Sequence, residues 1–258
     1  MGPAARPVTA RITHIGGPTT LIEIGGVRLL TDPTFDAPGR RYSFGLGTSS
    51  VKTAGPAVPY ESLGRIDAVL LTHDHHGDNL DIAGRALLPS VPLVLTTVSG
   101  ARRLGGTVPG VRGLAPWQEA GVADLTVIAT PARHGPPLSR PIVGEAIGFA
   151  VRPAGRPEVL WISGDTVLFD GVRQVASRFT VDTVILHLGK VQFGLTGPIR
   201  YTMTGRDAAG LIESIRPRRV VPVHYEGWSH FREGRTEVEA AFPAGALTWL
   251  TPGVPTTV

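Results

Sequence analysis

Three histidines and two aspartates fall within six residues of this chain, His73-Asp74-His75-His76-Gly77-Asp78, out of eight histidines in all. Neutral imidazole and carboxylate are good donors for zinc and similar divalent ions. The chain has no cysteine, so disulfides, thiolate metal sites and cysteine nucleophiles are excluded together. Further donors follow at Asp32, His134, Asp165, His187 and His224. Counted by type, His73, His75 or His76, and His134 make a three-histidine set. Asp78, Asp165 and His224 make a second, adjacent one, and Asp165 has two oxygens with which to bridge. Two ions about 3.5–4 Å apart form a clamp for hydrolysis: they lower the pKa of a shared water toward about 7 and polarise the bond to be broken.

The elements that must position these residues are β-rich apolar runs. Residues 68–71 read as a buried strand leading into the histidine cluster, and 78–88 read as a helix leading out, with Asp78 and Asn79 at the N-cap. Asp32 closes a strand at 27–31, His134 follows 125–130, Asp165 follows 158–163, His187 follows 183–186 and His224 follows 219–223. Strands that stop repeatedly at His or Asp suggest one shared sheet edge, where open sheets place their sites. Strands at 10–15 and 19–24 precede these, with turns at Gly16-Gly17-Pro18 and Gly25-Gly26. Further strands are expected at 92–96, 146–151 and 247–250, and helices at 99–104, 169–179, 204–215 and 231–242, with Thr204 as an N-cap. Residues 33–63 are rich in Gly and Pro, too long for an ordinary connector, and carry Phe35, Tyr42, Phe44 and Tyr60, which favours an ordered cover. The whole reads as an α/β fold: two mixed sheets packed together with helices outside, one domain over 1–258.

At 258 residues and 42% hydrophobic, the chain can bury a full core. It has no apolar run of membrane-spanning length. Residues 1–7 lack the apolar core of a secretion signal, so a cytoplasmic bacterial protein is the expectation. The net charge is +4, and Lys52 and Lys190 are the only lysines, as codon bias in a GC-rich genome would give. The arginines are scattered and form no stripe, against nucleic-acid binding. A small-molecule substrate is expected, and an anionic one held by a few arginines stays open. The oligomeric state is not legible.

Thr72-His73-x-His75-x-x-Asp78, Thr130-Pro131-Ala132-Arg133-His134, Ser163-Gly164-Asp165-Thr166 and Pro222-Val223-His224-Tyr225, in that order, resemble the metallo-β-lactamase-fold hydrolase superfamily. The run Ile12-Thr13-His14-Ile15-Gly16-Gly17-Pro18 and the run Leu30-Thr31-Asp32-Pro33-Thr34-Phe35 look like its subgroup of ascorbate-phosphate lactonases and N-acyl-phosphatidylethanolamine phospholipases. The resemblance runs from about residue 8 to 250. It implies an αββα four-layer sandwich with the site at one edge between the sheets. It implies one or two divalent ions, zinc first, with manganese or iron compatible. The superfamily pattern is His-x-His-x-Asp-His, and this chain has one residue more. Three registers are open: His73 with His75, Asp74 with His76, and His73 with His76. Asn79 stands where the family has a second-site histidine, which points to a second ion that is weakly held, absent or not zinc.

By the same resemblance, Asp78 binds metal and steers the attacking water, Asp165 bridges or holds the second ion, and His134 and His224 are ligands. Asp32 looks like a carboxylate orienting a ligand histidine. His187 has no settled family role: it is a candidate proton donor to the leaving group, or else a supporting or core histidine. His14 reads as structural, and His230 reads as surface or packing. Tyr225 and Trp228 either line the pocket or pack. The expected function is a metal-dependent hydrolase, with metal-bound hydroxide attacking an ester, lactone or phosphodiester. The alternative is a metal- or ligand-binding protein of the same fold that has lost catalysis. A diiron redox protein is a weaker third, without a flavin-binding partner domain.

Overall fold

A computed structural model describes residues 9–258. The leader reading of residues 1–7 lies outside them. In chain order, β1 (Ala10–Gly16), β2 (Thr19–Ile24) and β3 (Val27–Thr31) form an antiparallel meander. A hairpin follows, β4 (Arg41–Gly45) and β5 (Thr48–Val51). Next come β6 (Ala68–Leu70), α1 (Ile82–Leu87), β7 (Val94–Thr97), α2 (Val98–Leu104), β8 (Val111–Leu114), β9 (Glu119–Val122) and β10 (Leu125–Pro131). The remainder is α3 (Arg140–Val143), β11 (Ile147–Pro153), β12 (Glu158–Ile162), α4 (Asp170–Arg178), β13 (Thr180–His187), α5 (Gly205–Ile215), β14 (Arg219–Val223), α6 (Arg235–Glu239) and β15 (Thr256–Thr257).

Two sheets result. One has the order β15-β1-β2-β3-β6-β7-β8, the other β14-β13-β12-β11-β10-β9. The strands β3, β6, β7 and β8 run parallel, as do β12, β13 and β14. Parallel neighbours need crossovers, and α1, α2, α4 and α5 fall in those crossovers. The apolar runs are continuous because both faces of each sheet are covered. Side chains alternate between the two faces. Leu29, Leu70, Val127, Phe149 and Ile185 point into the core shared by the sheets. Their neighbours Leu30, Val69 and Leu71 face outward against Leu87 and Leu104. On the other sheet Trp161, Val184 and Leu186 face Val172, Val175 and Leu211 of α4 and α5. This is the αββα sandwich. Among the described residues no helix is long and apolar enough to cross a membrane.

The direction of the strands collects the site. The parallel strands β3 and β6 end at one edge, at Asp32 and His73. The strands β12, β13 and β14 end together at Asp165, His187 and His224. The strand β10 is antiparallel to β11, which is antiparallel to β12, so β10 delivers His134 to the same edge. Two backbone bonds tie the sheets there: Ile147 N–H to the Thr72 carbonyl, 3.1 Å, and His224 N–H to the Gly17 carbonyl, 2.9 Å.

Several expected elements differ. The helix after the histidine cluster starts at Ile82, not at 78, because Asp81 is its cap: Asp81 Oδ1 accepts from Gly84 N–H at 2.8 Å. The helix expected over 231–242 shrinks to α6, since Arg232 and Glu233 bond back to the Gly189 carbonyl. Residues 247–250 form no strand; the sheet edge beside β1 is taken by β15. The strands β8 and β9 were not expected. Segment 33–63 contains the β4–β5 hairpin.

Candidate metal centre

His73 Nε2 lies 3.3 Å from His76 Nδ1, and His134 Nε2 lies 3.2 Å from that same atom. The far nitrogens are held. His134 Nδ1–H donates to the Tyr201 carbonyl at 2.9 Å, and His73 Nδ1 lies 3.1 Å from Thr72 Oγ1. That hydroxyl lies 3.0 Å from both oxygens of Asp32, which also accepts the Thr72 N–H at 2.7 Å. Asp32 therefore orients His73 through Thr72, leaving the Nε2 lone pairs of His73 and His134 convergent. Burial keeps these rings neutral: it lowers His76 to about 4, and with the neighbouring His76 it lowers His134 to about 3. His73 is held well below its ordinary value by burial and by His134 and His76.

The second set is Asp78, Asp165 and His224, whose donor atoms all lie within 4.8 Å of one another. His224 Nε2 is 3.4 Å from Asp78 Oδ2, and His224 Nδ1 is 3.5 Å from Asp165 Oδ1. Burial pushes Asp165 up to about 6. Burial opposes charge on His224, but Asp165 and Asp78 lift it to about 9. Burial also pushes Asp78 upward, yet His224 and His230 hold it well below the carboxylate range. His224 and Asp32 both have left-handed backbone, with φ of 58° and 31°. Such strain in non-glycine residues gathers at functional sites.

These donors fit a divalent ion. Asp78 Oδ1, both oxygens of Asp165 and His224 Nε2 are buried with no hydrogen-bond partner among the described residues. A buried polar atom left unpaired costs about 1–3 kcal/mol. Four in one place beside three neutral imidazoles form a shell that a cation satisfies.

His75 stands outside both sets. It is partly exposed, and its Nδ1 lies 3.4 Å from Arg103 Nη2 and 3.6 Å from Asp74 Oδ1. The extra residue of the motif is absorbed at 74–75, where Arg103 takes the Asp74 carboxylate at 2.8 and 2.5 Å. Of the three registers, the geometry brings His73 and His76 together. Asn79 turns its amide to Thr72 Oγ1 at 3.3 Å and joins neither set. His187 is fully buried, with Nε2 3.3 Å from Asp32 Oδ2.

His230, expected at the surface or in packing, instead stands against the second donor set. It is buried, with Nε2 3.0 Å from Asp78 Oδ2 and Nδ1 2.5 Å from Ser50 Oγ. No apolar strand leads into it, so its sequence context carries no sign of the site. His14 bonds the Gly17 carbonyl at 3.0 Å. Tyr225 packs edge-on to Trp249 and Trp228 edge-on to Tyr42.

Above the donors lies a narrow pocket with a cavity volume of about 30 Å³. Its floor is His76, Asp78 and His134, and its apolar walls are Phe44, Leu46, Ile142, Val143, Val191 and Phe193. Phe44, from the hairpin, sits with its ring centroid 5.1 Å from that of His76. The hairpin is tied down by Ser229 Oγ, which accepts Val51 N–H at 2.9 Å, and by Lys52 Nζ, 2.8 Å from Asp81 Oδ2.

A metal-dependent hydrolase of Pyrobaculum arsenaticum is 29% identical to this chain over 243 residues, covering 91% of it and 92% of that protein. One of Staphylococcus saprophyticus is 25% identical over 258 residues, covering 94% and 97%. Among solved structures, the isothiocyanate hydrolase from Delia radicum gut bacteria has a TM-score of 0.79 at 22% identity, covering 95% of this chain and 98% of that one. A metallo hydrolase of Ignicoccus hospitalis has a TM-score of 0.70 at 22% identity, covering 97% and 98%. A family model described as a beta-lactamase superfamily domain matches residues 27–225. That match spans every residue of both donor sets, and the chain belongs to this superfamily.

Proposed function

We propose that this chain is a metal-dependent hydrolase of a small molecule, working at the sheet edge where the two donor sets meet. One observation carries the reading: three neutral imidazoles and four carboxylate or imidazole atoms without a hydrogen bond are buried under a single pocket. His73, His76 and His134 would hold one ion, and Asp78, Asp165 and His224 a second. Zinc suits the imidazole set, and manganese or iron suits a His/Asp shell. Bound there, a divalent ion supplies an acidified water and polarises the bond to be cleaved.

The chain's own residues do the rest. Asp78 lies on the pocket floor, where its carboxylate can orient a water and accept its proton. His230 holds Asp78, and Asp32 with Thr72 holds His73. His187 we assign to the support of Asp32: it is fully buried and is not part of the pocket lining, which argues against proton donation to a leaving group.

The test is turnover of an ester, lactone and phosphodiester panel by zinc- and manganese-loaded protein. Asp78→Ala and His134→Ala should fall to background, and full activity in either would contradict the reading. The position of Asn79, turned to Thr72, favours a second reading, a metal-binding protein without catalysis. It requires bound metal and no turnover anywhere on the panel.

A further inference from the structure

The pocket over the donors carries no cationic side chain. Apart from its floor, its lining is apolar, glycine, or the neutral side chains of Thr48, Thr196 and Tyr201. The basic groups nearby are engaged elsewhere. Arg103 is taken by Asp74, Arg140 by Glu145 at 2.5 Å, and Lys190 by Glu233 at 3.4 Å. Arg133 lies over the Phe169 ring at 4.7 Å and lines a separate cleft. Away from the donors, where bound ions would themselves take a phosphate, binding of a phosphate group relies on arginine, lysine or helix N-termini, and the walls here offer none.

The rim is apolar too. Large apolar side chains in water are uncommon in clusters and mark binding sites. Leu46 is 73% exposed and Ile142 58% exposed, and both line the pocket. Leu195 is 75% exposed and sits beside Gly47, next in the chain to Leu46. The hairpin and α3 therefore each present an aliphatic side chain at the opening over the donors, and the segment after β13 presents a third beside it.

We propose that this pocket receives the apolar part of an uncharged substrate, a carboxylic ester or lactone bearing an aliphatic or aromatic group, and not a phosphorylated molecule. This rests on the hydrolase reading and names its substrate class. In the reaction, the oxygen of water bonds to the carbonyl carbon and the bond from that carbon to the alkoxy oxygen breaks. The alkoxide leaves with one of water's protons, and a carboxylic acid is released that ionises to its carboxylate. No oxidant or further reactant is needed. The apolar walls place the acyl or alkoxy chain so that the carbonyl meets the floor formed by His76, Asp78 and His134.

The test compares 4-nitrophenyl acetate, 4-nitrophenyl hexanoate and bis(4-nitrophenyl) phosphate with zinc-loaded protein. Each kcat/KM is divided by the rate with free zinc alone. A buried methylene is worth roughly fourfold, so hexanoate should exceed acetate at least tenfold and exceed the phosphodiester at least tenfold. Ile142→Arg, at an exposed rim position, should shrink both ratios. A flat chain-length response, or a phosphodiester that outruns hexanoate, overturns the proposal.

The uncleavable 4-nitrophenyl hexyl ether separates the two readings, through ligand-observed NMR. Saturable binding of the ether that Ile142→Arg weakens supports the pocket assignment even where turnover of every ester fails and the hydrolase reading falls. No saturable binding of the ether overturns the pocket assignment whatever the turnover.

Discussion

His230 Nε2 donates to Asp78 Oδ2 at 3.0 Å, which leaves Nδ1 to accept from the Ser50 hydroxyl at 2.5 Å. Ser50 belongs to β5, so the hairpin that walls the pocket also orients the carboxylate on its floor. Loss of a partner that orients a ligand typically costs 10–100-fold in metal affinity or activity. His230→Ala should therefore weaken metal retention against a chelator by about that factor while the fold survives. Ser50→Ala should give a smaller loss of the same kind. Unchanged retention in His230→Ala would make the contact incidental.

Lys52 and Asp81 form a buried pair at 2.8 Å, with side chains 3% and 0% exposed. Asp81 also caps α1 and accepts Asp36 N–H at 2.7 Å. Removing one partner of a buried pair leaves an uncompensated charge, at about 3–5 kcal/mol. Lys52→Met should lower stability by that order in urea unfolding. A change below about 1 kcal/mol, the range of exposed pairs, would show that the pair is effectively solvated.

Gly84 lies within α1, where alanine is ordinarily favoured by about 1 kcal/mol. Here a methyl group would overlap the carbonyl oxygen of Pro33. Overpacking against backbone typically costs about 1–3 kcal/mol, so the clash outweighs the propensity. Gly84→Ala is expected to lower the urea midpoint, and a raised midpoint would mean that the loop after Asp32 yields freely.

Asp36 links the loop before the hairpin to α1. Burial pushes its carboxyl up, but the Tyr42 hydroxyl and the N–H groups of Ala83 and Ile82 hold it below its ordinary value. A carboxyl lowered in the folded state binds fewer protons there than in the unfolded chain. Its contribution is thus present above the unfolded pKa of about 3.9 and is lost as pH falls through the lower folded value. The stability gap between the native chain and Asp36→Asn should be constant from pH 8 to 6 and close below about pH 4. A gap that widens in acid would reverse the assignment.

The sequence was most legible where burial on both faces of a strand leaves a continuous apolar run. Residues 27–31, 68–71 and 183–186 read plainly, as did the polar residues that end them. The strands β8 and β9 were hidden because Val-Arg-Gly-Leu and Glu-Ala-Gly-Val are short and half-exposed. The choice between His75 and His76 was hidden for a different reason. It depends on how the extra residue is absorbed, and that is decided by Arg103, 28 positions beyond His75. His230 was out of reach because its partners, Asp78 and Ser50, are 152 and 180 residues away.

The most direct test of the account is metal content per chain, by elemental mass spectrometry after loading with zinc, manganese or iron, for the native chain, His76→Ala and His75→Ala. The account predicts metal in the native chain, a loss of at least one ion per chain in His76→Ala, and native content in His75→Ala. No metal under any loading, or metal lost in His75→Ala and kept in His76→Ala, would contradict it.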